Sequence, residues 1–141
     1  MKLDYEAIPS QGMYFVNWEE ISNLKKFENM NGQVWTLGQG KESSHWLPSF
    51  DDKNEKVIFS LDITFQKSFE VVSNGNLVDK IENEDYINWK YKMAEPMSSC
   101  QIMLSIGHYD KKETVSSSGI PMQFYYEKLE PFTLETNTDE I

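Results

Sequence analysis

Apolar and polar residues alternate with a period of two along four stretches of the chain, the pattern of strands that bury one face. The four stretches are residues 57–65, 87–93, 100–106 and 120–126. In the second, Trp89 and Tyr91 fall on the apolar side, where core packing explains their aromatic rings better than an exposed role does. The same reasoning predicts shorter strands at residues 3–7, 13–16 and 69–72.

Turn residues separate these strands. Asn74-Gly75 supplies the positive backbone φ of a tight reversal, and a polar loop at residues 116–119 precedes the last strand. Only residues 18–27 have helical spacing, with Trp18, Ile21 and Leu24 three apart. We therefore predict an all-β fold, an antiparallel β-sandwich or saddle-like domain over residues 1–130, followed by a polar tail at 131–141.

The chain has 141 residues, of which 39% are hydrophobic, enough for one core. The net charge of -10 argues against binding to nucleic acid or to an anionic membrane, because both need clustered cations. Cys100 is the one cysteine and lies in an apolar run, which favours a buried structural thiol. No apolar run reaches the length of a membrane span, and the N-terminus lacks signal-peptide features, so as written the chain is predicted to be cytoplasmic.

Residues that could perform catalysis are sparse. His45 and His108 are the two histidines, and they are far apart, whereas a zinc site often uses two histidines one helical turn apart with a glutamate between. We assign no metal ligand and no catalytic residue, and we predict that the chain alone is not an enzyme. Asp51-Asp52 lacks the spacing of a calcium loop and is interpreted as a turn whose side chains accept backbone N–H groups.

Packing explains residues 35–41 least well. Gly38 and Gly40 flank Gln39 and allow close backbone approach, and the Gln39 amide offers both donors and an acceptor. These groups would be suited to recognising a peptide backbone or an amine. From the residues alone a glycine-rich turn is the better interpretation, and the spacing excludes a phosphate loop.

Six segments in a fixed order resemble a known family. They lie within residues 12–15, 33–40, 45–56, 71–77, 95–99 and 105–107 and include Thr36-Leu37-Gly38-Gln39-Gly40, Trp46-Leu47-Pro48-Ser49-Phe50-Asp51-Asp52, Val72-Ser73-Asn74-Gly75 and Pro96-Met97-Ser98-Ser99. From about Leu3 to about Glu130 the chain resembles the N-terminal domain of zinc aminopeptidases of the aminopeptidase N and leukotriene hydrolase type, particularly bacterial members. The resemblance implies a sandwich-like domain packed on a downstream catalytic domain that holds the zinc of the parent protein.

The resemblance also implies a role for the glycine-flanked glutamine. Gln39, with Gly38 and Gly40, matches the substrate-binding position that contacts the peptide near its N-terminal residue. Leu37 matches a position often occupied by a second glutamine, and leucine cannot make that hydrogen bond. The expected function is thus that of a non-catalytic aminopeptidase domain that helps bind a peptide N-terminus.

Two alternatives stay open. One is a stand-alone β-sandwich binding or interaction module without peptidase activity. The other is a carbohydrate-binding module whose stacking surface would use some of the four Trp and seven Tyr. If flanking strands and a catalytic domain are missing, an apolar surface and a sheet edge are exposed, and we predict self-association through that edge.

Overall fold

The computed structural model of the chain describes residues 2–18 and 32–127. The predicted helix at 18–27 lies outside these residues except for Trp18, and so does the predicted tail at 131–141. No helix within the described ranges is long and apolar enough to cross a membrane.

Eleven strands, every pair of them antiparallel, make up the described part of the chain. They are β1 Met13–Val16, β2 Gln33–Thr36, β3 Lys56–Val57, β4 Ser60–Gln66, β5 Glu70–Ser73, β6 Asn76–Glu82, β7 Tyr86–Lys92, β8 Met97–Ser98, β9 Leu104–Gly107, β10 Tyr109–Val115 and β11 Pro121–Glu127. The described residues also contain two short 3-10 helices, Ser43–His45 and Ser99–Gln101. The prediction of an all-β antiparallel fold is confirmed.

The chain forms two compact units, one up to Gly107 and one from His108. In the second unit, β10 and β11 form a hairpin with seven residue pairs, from Tyr109 with Glu127 to Val115 with Pro121. Its turn is the predicted polar loop, which ends at Gly119 with a φ of 83°. The single domain over residues 1–130 stays a prediction.

The first unit contains a four-stranded sheet in the order β1-β2-β9-β5, a three-stranded sheet in the order β4-β7-β6, and the small pair β3-β8. Its core draws buried side chains from both larger sheets, in the manner of a sandwich: Val34, Val71, Leu104 and Ile106 from the first, and Ile87, Trp89 and Tyr91 from the second. The Tyr91 hydroxyl donates a buried hydrogen bond of 2.7 Å to the Val71 carbonyl oxygen, which ties the two sheets together.

The alternation at residues 87–93 predicted its strand correctly. In β7 every second residue is buried, namely Ile87, Trp89 and Tyr91, while Asn88 and Lys90 are more exposed. Met93 lies just beyond the strand end. The short predictions at 13–16 and 69–72 are confirmed by β1 and by β5, which begins one residue later.

Three strand predictions need correction. Residues 57–65 form no single strand, because the pairing partner changes along them: Val57 ends β3, which pairs with β8, and β4, which pairs with β7, begins at Ser60. In residues 100–106 only the part from Leu104 is a strand, since Cys100 lies in a 3-10 helix. Residues 3–7 form no strand; Tyr5 instead donates its hydroxyl to the Trp46 carbonyl oxygen at 3.0 Å.

Candidate functional site

The glycine-flanked segment leaves the sheet where β2 ends. The Leu37 N–H donates to the Gly12 carbonyl oxygen at 3.0 Å, which extends the pairing of β1 and β2 by one contact. After residues 38–41 the chain enters the 3-10 helix Ser43–His45. The segment is therefore anchored at both ends, and Gln39 is exposed between them.

Gly38 is buried because two backbone segments meet there. A Cβ atom at Gly38 would overlap the Cys100 carbonyl oxygen and would lie 2.6 Å from Ser43 Oγ. That hydroxyl donates a buried hydrogen bond of 3.1 Å to the Ser99 carbonyl oxygen. The glycine thus lets the loop after β2 pack directly on the 3-10 helix Ser99–Gln101.

Gly40 is required for a different reason. Its φ is 86°, in the left-handed region that side chains disfavour, while a Cβ there would meet open space. Lys41 follows with a φ of 83°, an uncommon conformation for a residue with a side chain. The two consecutive left-handed residues turn the chain sharply after Gln39.

An open groove of about 390 Å³ lies beside this turn. It is lined by Thr36, Leu37, Gly38, Gln39, Gly40, Lys53, Cys100, Gln101, Ile102 and Met103. The structure therefore brings the three sequence-predicted site residues together on one groove, with Leu37 beside them. Gln101 and Lys53 are lining residues that the sequence did not single out, because they come from distant parts of the chain.

A second depression of about 310 Å³ shares Lys53 and Cys100 with the groove. Lys41, Asp51, Asp52 and Asn54 line the rest of it. Both aspartates accept backbone N–H groups: Asp51 from Ser44 at 3.1 and 3.2 Å, and Asp52 from Asn54 at 2.9 Å. The interpretation of Asp51-Asp52 as a capped turn is confirmed.

Cys100 is half-buried and belongs to both the groove and the depression. Its Sγ lies 3.5 Å from Ser98 Oγ. The prediction of a buried structural thiol needs correction, because Cys100 is half-buried: the 3-10 helix interrupts the strand alternation, so that Ser98 and Ser99 are buried and Cys100 is less so.

The histidines do not gather into a site. His45 is exposed at the end of its 3-10 helix, with Nδ1 3.2 Å from the Glu42 carbonyl oxygen. Across residues 2–18 and 32–127, no three His, Cys, Asp or Glu side chains are placed to hold a metal ion together.

No family model matches the chain. Human glutamyl aminopeptidase is 23% identical over 150 residues, a match that covers 96% of this chain and 16% of the relative. The glutamyl aminopeptidase of Bos taurus is 29% identical over 92 residues, or 63% of this chain. A second kind of protein also matches: transcription initiation factor TFIID subunit 2 from Gallus gallus is 26% identical over 105 residues, or 72% of this chain and 9% of the relative.

Solved structures agree on the fold. Two structures of a mutant two-domain M1 zinc metallopeptidase, bound to L-tryptophan and to L-arginine, superpose with TM-scores of 0.58 and 0.57 at 15% and 14% identity. The alignments cover 68% and 70% of this chain. The chain has the fold of part of an M1 zinc metallopeptidase. It spans 23% of the metallopeptidase chains and 16% of human glutamyl aminopeptidase, so it is similar to one portion of these larger proteins.

Proposed function

We propose that the chain is a non-catalytic domain of a zinc aminopeptidase, placed before the catalytic domain, and that Gln39 helps bind the amino end of a peptide. The match to human glutamyl aminopeptidase over 96% of the chain supports this assignment, as does the fold shared with M1 zinc metallopeptidases. We assign the zinc of the parent protein to the catalytic domain, and we assign no chemical step to this chain.

The position of Gln39 carries the peptide-binding part of the proposal. The Gln39 side chain is exposed beside an open groove. Packing leaves no space for a side chain at Gly38, and the positive φ of Gly40 favours glycine there. A glutamine amide can accept from a peptide ammonium group and donate to the first carbonyl oxygen. Such a contact would hold the substrate in position, which accelerates a reaction that other residues carry out.

Titration with L-leucinamide tests this contact. We expect the amide signals of residues 38–40 to shift in an NMR titration with a millimolar Kd, while N-acetyl-leucinamide, whose amine is blocked, leaves them unchanged. Gln39→Ala should weaken binding at least threefold, because the amide contact is lost. Gln123→Ala is the matched control, since Gln123 lies in the separate β10–β11 hairpin. Equal shifts with both ligands would rule out recognition of the amine.

The isolated chain should not hydrolyse leucine p-nitroanilide in the presence of zinc. The expected rate equals that of buffer with zinc, because the chain lacks a His-Glu-x-x-His segment. Turnover that a chelator abolishes would contradict the non-catalytic assignment.

Two observations favour a second candidate, a binding module without a peptidase. Leu37 places an apolar side chain, 42% exposed, on the groove where a hydrogen-bonding residue would be expected. The chain is also similar to TFIID subunit 2, a protein that is not named as a peptidase. Leu37→Gln discriminates the two: it should strengthen leucinamide binding in an aminopeptidase domain and have no effect in an unrelated binding module. A reading frame that continues past residue 141 into a His-Glu-x-x-His motif would favour the aminopeptidase.

A further inference from the structure

The turn between β5 and β6 contains an Asn-Gly pair, at the point where the chain passes from one large sheet to the other. Gly75 has a φ of 87°, and a Cβ atom there would lie 2.5 Å from the Lys92 carbonyl oxygen. Backbone angle and packing therefore both favour glycine after Asn74. The other Asn-Gly pair in the sequence is Asn31-Gly32, of which Asn31 lies outside the described residues.

Two consecutive side chains at this turn hold the backbone of Met103. The Ser73 hydroxyl donates a hydrogen bond of 2.6 Å to the Met103 carbonyl oxygen. The Met103 N–H in turn donates a hydrogen bond of 2.5 Å to Asn74 Oδ1. Because Met103 lines the groove beside Gln39, the Asn74 side chain helps to fix one part of the groove wall.

The hydrogen bonds around the pair leave two of its groups ready to react. Asn74 Oδ1 accepts from a backbone N–H, which makes the amide carbon Cγ more electrophilic and would stabilise negative charge that develops on the oxygen. Within residues 2–18 and 32–127, neither Asn74 Nδ2 nor the Gly75 N–H donates a hydrogen bond. The nucleophile and the leaving group of an attack by the Gly75 nitrogen on Asn74 Cγ are therefore both available.

We propose that Asn74-Gly75 is a self-modification site, which forms a succinimide and then isoaspartate, and that this conversion releases Met103 in the groove wall. The Gly75 nitrogen gives its proton to water and forms a bond to Asn74 Cγ, while the bond from Cγ to Nδ2 breaks and the nitrogen leaves as ammonia. Water then opens the five-membered ring at either carbonyl, which yields aspartate or isoaspartate. Nothing is oxidised or reduced, and the chemistry does not depend on the function proposed above.

The two products differ at the hydrogen bond to Met103. Aspartate keeps an oxygen at the position of Oδ1, so it can still accept from the Met103 N–H. Isoaspartate routes the main chain through the side-chain carbon, which lengthens the turn by one carbon and brings the free carboxylate one carbon nearer the backbone. The carboxylate then no longer reaches Met103, and the turn no longer fits the packing of Gly75 on the Lys92 carbonyl.

The rate of conversion tests the site in the intact chain. During incubation at pH 7.4 and 37 °C, the tryptic peptide that contains Asn74 should gain about 1 Da by mass spectrometry. A protease that cleaves before aspartate but not before isoaspartate then distinguishes the two products. We expect conversion about three- to tenfold faster than in a synthetic peptide of residues 71–78, because the peptide lacks the Met103 N–H. A folded chain that reacts no faster than the peptide would overturn the proposal.

Hydrogen exchange at Met103 tests the effect on the groove. The fresh chain and fresh Asn74→Asp should protect the Met103 amide, whereas the isoaspartate form, separated by chromatography, should exchange about five- to tenfold faster. The Gly119 amide is the internal control, because its hydrogen bond to the Ser116 carbonyl oxygen lies in the separate hairpin. Equal exchange at Met103 in all three forms would overturn the link between the modification and the groove wall.

Asn74→Gln is the matched control for the reaction. Glutamine keeps the amide oxygen and nitrogen but would have to close a six-membered ring, so this variant should stay unmodified under the same conditions. Asn31-Gly32 is a reference within each sample, because tryptic cleavage after Lys41 and Lys67 places the two pairs in different peptides. A gain of mass confined to the Asn31 peptide, or an equal gain in the corresponding peptide of Asn74→Gln, would overturn the assignment to Asn74.

Discussion

Gly38 and Gly40 flank the same glutamine, but different physical constraints favour glycine at the two positions. Gly38 is limited by space, because the Cys100 backbone and the Ser43 hydroxyl occupy the position of a side chain. Gly40 is limited by backbone angle and faces open space. Substitutions at the two positions should therefore change stability and groove shape independently.

Alanine at each glycine separates these constraints. Gly40→Ala should lower the free energy of unfolding by about 1 kcal/mol, the cost of a left-handed residue less the gain from a stiffer unfolded chain. Gly40→Asn should cost less, since asparagine tolerates this conformation. Gly38→Ala should cost about 1–3 kcal/mol through overpacking and should also shift the NMR signals of Cys100 and Gln101. Urea unfolding measures the stability, and unchanged signals in Gly38→Ala would contradict the packing argument.

The sequence could identify part of the site at this scale. The Gly-Gln-Gly segment is local, so its turn and its exposed amide could be predicted from neighbouring residues. Lys53 and Cys100 could not, because they reach the groove through tertiary contacts such as the Asp51 carboxylate on the Ser44 N–H. Cys100 was misplaced because its alternation with Ile102 continues through a 3-10 helix that the pattern does not reveal.

Among the elements of the first unit, β7 contributes three buried side chains to the core, namely Ile87, Trp89 and Tyr91. Removing the Tyr91 hydroxyl leaves the Val71 carbonyl without one of its hydrogen bonds in a buried place, so Tyr91→Phe should cost about 1–2 kcal/mol. Tyr86→Phe is the matched control in the same strand, because the Tyr86 side chain is half exposed and has no hydrogen bond within the described residues. Chemical denaturation of the two variants measures the difference. Equal stabilities would show that the buried hydrogen bond does not stabilise the sandwich.

The β10–β11 hairpin contains an acid-sensitive pair on its exposed surface. The hydrogen bond from Lys111 and its charge hold the pKa of Glu113 below its usual value of 4.5. A lowered pKa in the folded state means that the pair stabilises the hairpin above about pH 4.5, and that this contribution is lost as the pH falls through the folded-state pKa. Carboxyl NMR titration should place the Glu113 midpoint below 4.5, and Lys111→Met should return it toward that value. A midpoint that Lys111→Met leaves unchanged would contradict the pairing.

Strand existence was easier to predict than strand continuity. The alternation in β7 predicts its strand because one face of the strand packs on the core along most of its length, so burial repeats every second residue. The stretch at 57–65 has equally regular spacing, yet its first residues pair with β8 and its last with β7. A change of pairing partner is set by the path of other strands and leaves the local sequence pattern intact.

At the scale of the whole molecule, the described sheets leave apolar side chains at the surface. In β6, the last strand of its three-stranded sheet, Leu77, Val78 and Ile81 are all exposed. We predict self-association through this edge, and it should increase with salt, because salt screens the repulsion between copies that each carry a charge of -10.

Sedimentation velocity over a range of protein and NaCl concentrations measures this association. Val78→Lys should weaken it by placing a charge on the edge, as natural edge strands do. Val115→Lys, an equally exposed valine in the hairpin, is the matched control. A monomer at all concentrations and salts, or an equal response to both variants, would contradict association through β6.

Cys100 is the one thiol in the chain, and it lies in the wall that the groove and the depression share. It therefore provides a natural attachment point for a single fluorescent or fluorinated label, with no cysteine to add or remove elsewhere. A small label there would report ligands that bind on either side, in the groove beside Gln39 or in the depression. One labelled preparation could then screen amino acids, peptides and free anions side by side.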